Sequence, residues 1–249
     1  MNIERDVPLG PLTTYRVGGP ARWFARVESV DDLREVSELV RARSLPTLVV
    51  GKGSNLLVAD AGFGGVAVVL GDAFAEVVME GEGGTEGATA IVRAGGATPL
   101  PVLARRTAAA GLRGLEWAVG VPGSVGGGVR MNAGGHGSDV AASLERVRVF
   151  DLASGDHRTV QSVDLDLGYR RSAIGEGDVV LEAELTATVG SADEAGAVID
   201  EIVRWRRENQ PGGQNAGSVF TNPPDDSAGR LVDAAGCKGL RVGTAEVST

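Results

Sequence analysis

The stretch 120-GVPGSVGGGVRMNAGGHG-137 constrains the fold most, because it places eight glycines within 18 residues. A flexible linker would combine glycine with serine, threonine or charged residues. Here Val121, Val125, Val129 and Met131 are interspersed with the glycines, which predicts a buried and ordered segment. Ordering so many glycines costs backbone entropy. Close approach of the backbone to a large flat or phosphorylated ligand explains that cost, and tight packing against a neighbouring strand is the alternative.

The loop 51-GKGSN-55 is a second candidate for a ligand site, because it follows the short apolar strand predicted over 47–50. Its glycines allow a sharp turn that presents backbone N–H groups to an anion, and Ser54 and Asn55 add side-chain hydrogen bonds. An ordinary glycine-rich turn is the alternative. The loop matches neither the dinucleotide-binding fingerprint nor a P-loop.

Composition excludes several classes of function. The 24 basic and 33 acidic residues give a net charge of −9, which argues against a nucleic-acid or anionic-membrane binder. The single cysteine, Cys237, excludes an internal disulfide, and with only His136 and His157 we expect no metal site. The N-terminus lacks an apolar signal region, and 18 apolar residues never run together. We therefore expect a cytoplasmic protein.

The hydrophobic periodicity predicts a mixture of helices and strands. Ser29 as an N-cap, followed by apolar residues at helical spacing, indicates a helix over 30–43. The other predicted elements are strands at 66–70, 74–80 and 179–189, a hairpin of 146–150 with 158–163, and helices at 99–110 and 192–207. A boundary is predicted at Pro211–Gly213, and residues 214–249 are too few for a core of their own.

Two further segments carry reactive side chains. In 217-GSVFTNPP-224 a serine stands between a glycine and an apolar pair, which suits a loop that presents a hydroxyl; a turn or N-cap serine is the alternative. No histidine is near in sequence and there is no G-x-S-x-G elbow, so a hydrolase triad fits poorly. In 169-YRRS-172 two arginines follow an aromatic residue, and a solvated surface pair is the alternative.

The ordered motifs of the chain resemble a known family. They are 13-TTYRVGGPA-21, 51-GKGSNLLVADAGFGG-65, 114-GLEWAVGVPGSVGGGVRMNAGGHG-137, 168-GYRRS-172, 210-QPGGQNAGSVFTNP-223, 229-GRLVDAAGCKG-239 and 243-GTAEVST-249. This succession resembles the bacterial UDP-N-acetylenolpyruvoylglucosamine reductases, flavoenzymes that complete UDP-N-acetylmuramate in peptidoglycan synthesis. The short connection between 179–189 and 192–207 resembles the subgroup that lacks an extra tyrosine-bearing loop.

The resemblance implies an α+β fold and a cofactor. A vanillyl-alcohol-oxidase/PCMH-type FAD-binding domain would span residues 1–190, with its core at about 17–190, and part of a smaller α+β substrate-binding domain would span 191–249. The family's cofactor is FAD, which we expect to be non-covalent here, because Cys237 lies outside the FAD domain and only His136 is near the flavin segment. The chain is expected to be a monomer.

The resemblance also implies the residues that bind FAD. The loops matching 51–55 and 120–127 hold the pyrophosphate through backbone amides, and the segment 131–135 lines the flavin. The implied cofactor-binding residues are Val17, Gly18, Gly51, Lys52, Gly53, Ser54, Asn55, Gly120, Val121, Pro122, Gly123, Ser124, Gly126, Gly127, Asn132, Ala133 and Gly134. His136 stands where the family usually has an aromatic residue.

The chemistry implied by the resemblance is a hydride relay. NADPH reduces FAD, which then reduces the enolpyruvyl ether of UDP-N-acetylglucosamine enolpyruvate. Arg170 would stabilise the charge that develops on the substrate, and Ser218 would donate the proton. The implied substrate-binding residues are Tyr169, Gly217 and Asn222. Thr221 replaces a usually basic residue.

The end of the sequence departs from the family pattern. The family continues past the match to 243–249 into a strand, a helix and a terminal strand with a catalytic glutamate, and Glu246 is not at that position. This departure predicts a C-terminally truncated chain. The alternative function is therefore a catalytically impaired flavin-binding fragment, and a related flavin oxidase of the same fold is a lesser alternative.

Overall fold

The computed structural model describes residues 2–249 except Pro211, Ala216 and Ser218. The strands are β1 (Ile3–Pro8), β2 (Pro20–Val27), β3 (Thr47–Val49), β4 (Phe63–Leu70), β5 (Val77–Glu80), β6 (Thr89–Gly95), β7 (Leu112–Arg113), β8 (Gly134–Gly135), β9 (Ser138–Asp139), β10 (Leu144–Asp151), β11 (His157–Gln161), β12 (Asp178–Val189), β13 (Arg241–Val242) and β14 (Ala245–Glu246). The α-helices are α1 (Val30–Arg43), α2 (Leu100–Ala109), α3 (Val125–Arg130), α4 (Ala192–Asn209) and α5 (Ala228–Ala234).

The first sheet has the strand order β1-β2-β4-β3, in which β2, β4 and β3 are parallel and β1 is antiparallel to β2. Helix α1 covers one face through Leu33, Val36 and Val40, which are buried with Val66 and Val68 of β4. The helix has the predicted bounds because Ser29 and Asp32 form a capping box at its start. It ends at Ser44, which adopts a left-handed conformation.

The second sheet has the order β11-β10-β12-β6-β5, with every pair antiparallel and β7 also paired to β12. Helices α2 and α4 and a 3-10 segment at Glu116–Gly120 cover one face. Ala195, Ile199 and Ile202 of α4 are buried in this core, which confirms the helix predicted over 192–207. The predicted hairpin of 146–150 with 158–163 is formed by β10 and β11.

Strand β12 joins the two layers. Val179 and Leu181 lie in the core of the first sheet, whereas Val180, Ala183 and Leu185 lie in that of the second. Consecutive side chains of a strand point to opposite faces, so β12 is buried on both faces where it begins. Strand β12 belongs to the second sheet, and its side chains therefore pack into the cores of both sheets.

One local prediction is wrong. The strand predicted over 74–80 begins only at Val77, because Asp72–Phe74 form a 3-10 turn. The glycine-rich run is ordered, as predicted, and it contains the six-residue helix α3. Among the described residues after 209, only Ala228 is buried, as expected for a segment too short for a core.

Candidate active site

The loop 51–55 presents a row of backbone N–H groups. It follows the buried residue Val50, whose amide donates to Val68 of β4 at 2.8 Å. Among the described residues, the five consecutive amides from Gly51 to Asn55 find no protein acceptor. Gly53 has a φ of +64°, and a Cβ there would lie 1.9 Å from the carbonyl oxygen of Leu12. The loop therefore requires glycine at position 53 and leaves its donors available to an anion.

The second glycine-rich loop lies directly against the first. Ser54 Oγ donates to the carbonyl oxygen of Pro122 at 2.9 Å. A Cβ on Gly51 would lie 2.5 Å from Ser124 Oγ. Ser124 is the N-cap of α3, and within the described chain the amides of Gly123 and Ser124 also have no protein acceptor. Two touching loops thus supply seven unpaired N–H groups beside the N-terminus of a helix.

A cavity of about 470 Å³ adjoins the first loop. Its described lining comprises Pro11, Leu12, Thr13, Thr14, Arg16, Lys52, Gly213 and Gln214. Lys52 and Arg16 add two positive charges to the unpaired amides. This donor set fits a diphosphate, which backbone amides at helix N-termini and glycine loops bind in other proteins. The residues therefore fit the pyrophosphate of a dinucleotide cofactor.

The segment Val17–Gly18 packs against residues 58–59, which follow the first loop in the chain. Gly19 donates its amide to the carbonyl of Ala59 at 2.9 Å, and Gly18 packs against Val58. Val17 remains 50% exposed, which leaves its apolar side chain accessible.

The segment 131–135 follows α3 and turns back through the short ladder of β8 with β9. Asn132 is only 6% exposed. Its side chain accepts from the amide of Ala141 at 2.9 Å and donates to Asp139 Oδ2 at 3.1 Å and to the carbonyl of Gly168 at 3.2 Å. Both amide protons of Asn132 are thus used inside the protein, so the Asn132 side chain has no donor left for a cofactor.

Arg170 and Tyr169 lie at the tip of a tight turn. Gly168 and Arg171 exchange two backbone hydrogen bonds of 3.0 and 3.1 Å across it. Tyr169 is 63% exposed, and the Arg170 guanidinium lies 5.7 Å from the centre of its ring. No described residue forms an ion pair or hydrogen bond with the Arg170 side chain. Asn132 connects this turn to the 131–135 segment, so the structure brings the predicted Arg170 and the predicted flavin segment together.

His136 packs against the beginning of the second loop. A Cβ on Gly120 would lie 2.8 Å from the His136 ring, and that ring forms an edge contact with Trp205 of α4 at 5.2 Å. Arg206 of α4 also donates to the carbonyl oxygen of Gly120. Sequence reasoning missed Trp205 and Arg206 because they lie on a distant helix. The sequence indicates only that Arg206 lies in the last turn of a predicted helix, and this does not reveal its bond to Gly120.

The described part of the 217–224 segment lies apart from any core. Ser218 itself lies outside the described residues. Gly217 is exposed with a φ of +72°. Asn222 Oδ1 accepts from the amide of Ala228 at 2.9 Å, at the start of α5. The Oδ1 atom of Asn222 therefore caps the start of α5, whereas its Nδ2 atom has no recorded acceptor among the described residues.

The described residues contain neither a metal-binding cluster nor a membrane-spanning helix. No group of three or more His, Cys, Asp or Glu side chains is arranged to hold a metal ion. No helix in the described chain is both long and apolar enough to cross a membrane.

Comparisons with known proteins place these features in one family. A family model for an FAD binding domain matches residues 21–161, and the model for the C-terminal domain of UDP-N-acetylenolpyruvoylglucosamine reductase matches residues 209–249. The reductase of that name from Synechococcus sp. (strain RCC307) is 42% identical over 252 residues, covering 100% of this chain and 80% of the relative. The one from Gluconobacter oxydans is 39% identical over 251 residues, covering 99% and 78%.

Solved structures agree with the sequence relatives. The UDP-N-acetylenolpyruvylglucosamine reductase from Thermus caldophilus superposes with a TM-score of 0.83 at 37% identity, covering 100% of this chain and 85% of that one. The 6-hydroxy-D-nicotine oxidase from Arthrobacter nicotinovorans superposes with a TM-score of 0.55 at 15% identity, covering 76% and 42%. A VAO-type flavoprotein from Myceliophthora thermophila has a TM-score of 0.51 at 14% identity, covering 68% and 32%. The last two likenesses show the fold alone.

Proposed function

Since the chain belongs to the family of UDP-N-acetylenolpyruvoylglucosamine reductases, we propose that it uses NADPH as reductant and the residues below as its site. It is an FAD-dependent oxidoreductase with the α+β fold of the VAO/PCMH type, as the sequence resemblance predicted. Its reaction is the reduction of UDP-N-acetylglucosamine enolpyruvate to UDP-N-acetylmuramate. The single observation that carries the site assignment is the pair of touching glycine-rich loops with seven unpaired amides.

The backbone of these two loops would hold the FAD pyrophosphate. The amides of Gly51–Asn55 and of Gly123 and Ser124 would donate to its oxygens, and Lys52 would supply a positive charge. Residues Asn132–Gly134 and Val17–Gly18 flank this cradle. Bound FAD would supply the hydride chemistry between NADPH and the methylene carbon of the enolpyruvyl ether. The chain's own residues supply charge stabilisation, orientation and the proton.

Arg170 would bind the substrate carboxylate. Hydride addition to the methylene carbon makes the neighbouring carbon enolate-like, so negative charge develops onto that carboxylate. A guanidinium grips a carboxylate through two parallel hydrogen bonds. Arg170 is exposed and has no ion-pair partner among the described residues, so its donors are available for this charge. Tyr169, beside it on the same turn, would border the substrate.

Ser218 would donate the proton that completes the reaction. A hydroxyl is a weak acid and donates well only to a strongly basic acceptor, which the enolate carbon is. Gly217 allows the chain to turn sharply before this serine, and the free Nδ2 of Asn222 would contact the substrate. The division into an FAD-binding domain over 1–190 and a substrate-binding segment over 191–249 is part of the same proposal, as are a monomeric state and a cytoplasmic location.

We further propose that FAD is held without a covalent bond. His136 is the one residue near the flavin segment that could form a tether, and its ring packs between Gly120 and Trp205. Precipitating the purified protein with acid should release the yellow colour to the supernatant. Colour that stays in the pellet, and is lost in the variant His136→Ala, would contradict the proposal.

The function is tested by following the two half-reactions separately under anaerobic conditions. Stopped-flow absorbance at the flavin band should show bleaching by NADPH and recovery of the band on addition of UDP-N-acetylglucosamine enolpyruvate. NADH in place of NADPH gives the reductant preference. A flavin that is bleached by neither nucleotide, or that recovers only when oxygen is admitted, would refute the proposed reaction.

A further inference from the structure

Helix α3 connects the proposed cofactor cradle to the turn that carries Arg170. Its N-cap Ser124 belongs to the second glycine-rich loop, which contacts the first loop. Six residues later its C-terminal end leads directly into Asn132, whose side chain reaches the carbonyl oxygen of Gly168. A single short helix therefore lies between the two parts of the site.

Two side chains bind the Arg170 turn on opposite sides. Asn132 Nδ2 donates to the carbonyl oxygen of Gly168, just before the turn, at 3.2 Å. Ser172 Oγ, just after it, donates to the carbonyl oxygen of Arg130 at 2.8 Å and accepts from the amide of Ile174 at 3.3 Å. Arg130 is the last residue of α3, so both bonds fasten the turn to the same end of the same helix.

The position of the Arg170 guanidinium depends on this backbone. Within the described chain its only recorded partner is the ring of Tyr169, which lies on the same turn. Arg170 itself has a φ of +56°, a conformation that a non-glycine residue keeps only where its surroundings impose it. Asn132, with a φ of +38°, is held in the same region while buried and fully hydrogen-bonded at its amide protons.

We propose that Asn132 and Ser172 are positioning residues that fix Arg170 at a set distance from the FAD cradle, through α3. The proposal rests on the role proposed above for Arg170. A guanidinium that must meet a carboxylate in one geometry loses much of its effect when its backbone shifts, since a misplacement of about 1 Å can cost about 10²-fold in rate. Neither Asn132 nor Ser172 needs to touch substrate for this effect.

The test uses the variants Asn132→Asp, Ser172→Ala and Ser172→Thr in the FAD-loaded protein. Asn132→Asp keeps the size but removes the donors to both Gly168 and Asp139, and it places a second carboxylate beside Asp139. Ser172→Thr keeps the hydroxyl and should restore the rate lost in Ser172→Ala, so the Ser172 pair is the cleaner test. Asn209→Ala is the matched control, because Asn209 also donates to a backbone carbonyl, that of Trp205, but at the exposed end of α4. FAD affinity and the rate of bleaching by NADPH should stay unchanged in the Ser172 variants and in Asn209→Ala. Both quantities are measured for Asn132→Asp as well, because Asn132 belongs to the segment proposed to flank FAD.

The reoxidation rate with the enolpyruvyl substrate should fall about 10- to 10²-fold in Asn132→Asp and Ser172→Ala. In an Arg170→Ala background the same changes should cause no further fall, because they act through Arg170. In the apoprotein, hydrogen exchange at the amides of Gly168 and Arg171 should be faster in both variants than in Asn209→Ala.

Three outcomes would each overturn the positioning role. The first is that the rate losses of the anchor variants add fully to that of Arg170→Ala. The others are equal slowing of both half-reactions and unchanged hydrogen exchange at Gly168 and Arg171. If Asn132→Asp does not fold, the Ser172 variants, alone and combined with Arg170→Ala, still test the proposal. A different result would show that the proposed function itself is wrong: Arg170→Ala would then leave reoxidation at the wild-type rate. An Arg170→Ala defect without a defect in the anchor variants refutes the positioning proposal only.

Discussion

The cofactor cradle and the Arg170 turn are built on opposite principles. In the cradle, side chains are excluded at the closest approaches of the backbone: a Cβ on Gly53 would lie 1.9 Å from the Leu12 carbonyl oxygen, and one on Gly51 2.5 Å from Ser124 Oγ. At the turn, Tyr169 and Arg170 are both exposed, and the function proposed above depends on their side chains. The first region is close-packed backbone, whereas the second presents two exposed side chains on a hydrogen-bonded turn.

The difference follows from what each region must recognise. A pyrophosphate needs N–H donors, which every residue except proline carries, so a phosphate site is made by removing side chains until the backbone can approach. Stabilising charge and donating a proton need particular functional groups, so those positions depend on side-chain identity. Substitutions in the cradle should therefore act on cofactor binding, and those on the substrate side should act on a chemical step.

The largest expected effect is that of Ser218→Ala. It should leave FAD affinity and bleaching by NADPH unchanged, because neither needs a proton from the protein. Reoxidation by the enolpyruvyl substrate should slow by about 10² to 10⁴, the usual loss for a positioned general acid. Anaerobic stopped-flow absorbance measures both steps.

Ser154→Ala is the control for that serine, because Ser154 Oγ only accepts from the amide of Asp156 in an exposed hairpin turn. Equal reoxidation rates in wild type and Ser218→Ala would remove Ser218 from the chemistry. A loss of FAD from Ser218→Ala would instead break the division between the two regions.

The next effect is that of Gly53→Ala, which places a Cβ against backbone in a left-handed conformation. Strain and overpacking together should cost about 2 to 4 kcal/mol in the loop conformation that binds FAD. We expect FAD affinity to fall by at least about 30-fold, measured by flavin fluorescence during titration of the apoprotein.

Gly64→Ala is the matched control, because Gly64 in β4 has nothing within 4 Å of an added Cβ and no positive φ. It should bind FAD like the wild type. Equal affinity of the Gly53→Ala and Gly64→Ala proteins would show that the loop tolerates side chains, and the comparison above would fail.

The same contrast explains how much could be predicted from the sequence. The cradle loops were visible because close approach of backbone requires glycine, and that requirement appears in sequence. The residues that these glycines contact cannot be identified from the sequence, because they are distant along the chain. Leu12 lies about 40 residues from Gly53, and Ser124 lies about 70 residues from Gly51. The fold class came from the resemblance, not from periodicity alone.

Helix α3 could not be predicted, because its sequence is half glycine and glycine is a poor helix former. Tertiary bonds hold it instead: the amides of Val125 and Gly126 donate to the carbonyls of Thr98 and Gly96 at 2.8 and 2.9 Å. Arg206 was missed for a related reason, since its bond to Gly120 joins residues 86 apart. The anchors of the Arg170 turn are likewise contacts between distant segments.

A third prediction concerns the second sheet, called the frame below, and states that its stability and FAD binding by the cradle are independent. On the exposed face of the second sheet, Glu184 accepts from Arg146 at 2.9 Å and from Arg93 at 3.0 Å. The hydrogen bond from Arg146 is the main reason that the pKa of the Glu184 carboxyl is lowered, and the bond from Arg93 adds to it against the opposing effect of burial. A carboxyl whose pKa is lowered by folding stabilises the fold above its unfolded pKa, and that stabilisation is lost as pH falls through the folded pKa.

The free energy of unfolding measured with urea should therefore fall below about pH 4.5, with Glu184 contributing less than about one proton to the slope. Glu184→Gln should flatten that part of the profile, whereas Glu145→Gln, on the same strand as Arg146 with no recorded ion pair among the described residues, should not. FAD affinity at neutral pH should be equal in both variants, because the cradle's donors are backbone amides. A parallel loss of FAD affinity in Glu184→Gln would show that the frame and the cradle are coupled.

The smallest expected effect is that of Ser54→Ala, the one cradle substitution in which a side chain is removed. Its hydroxyl joins the two glycine-rich loops through the carbonyl of Pro122. A single hydrogen bond of this kind contributes about 1 kcal/mol, so FAD affinity should fall about fivefold, again by fluorescence titration. Ser54→Thr, which keeps the hydroxyl, should bind more tightly than Ser54→Ala. A loss as large as that of Gly53→Ala would mean that a side chain, and not close backbone packing, holds the loops together. The cradle would then depend on side-chain identity just as the Arg170 turn does.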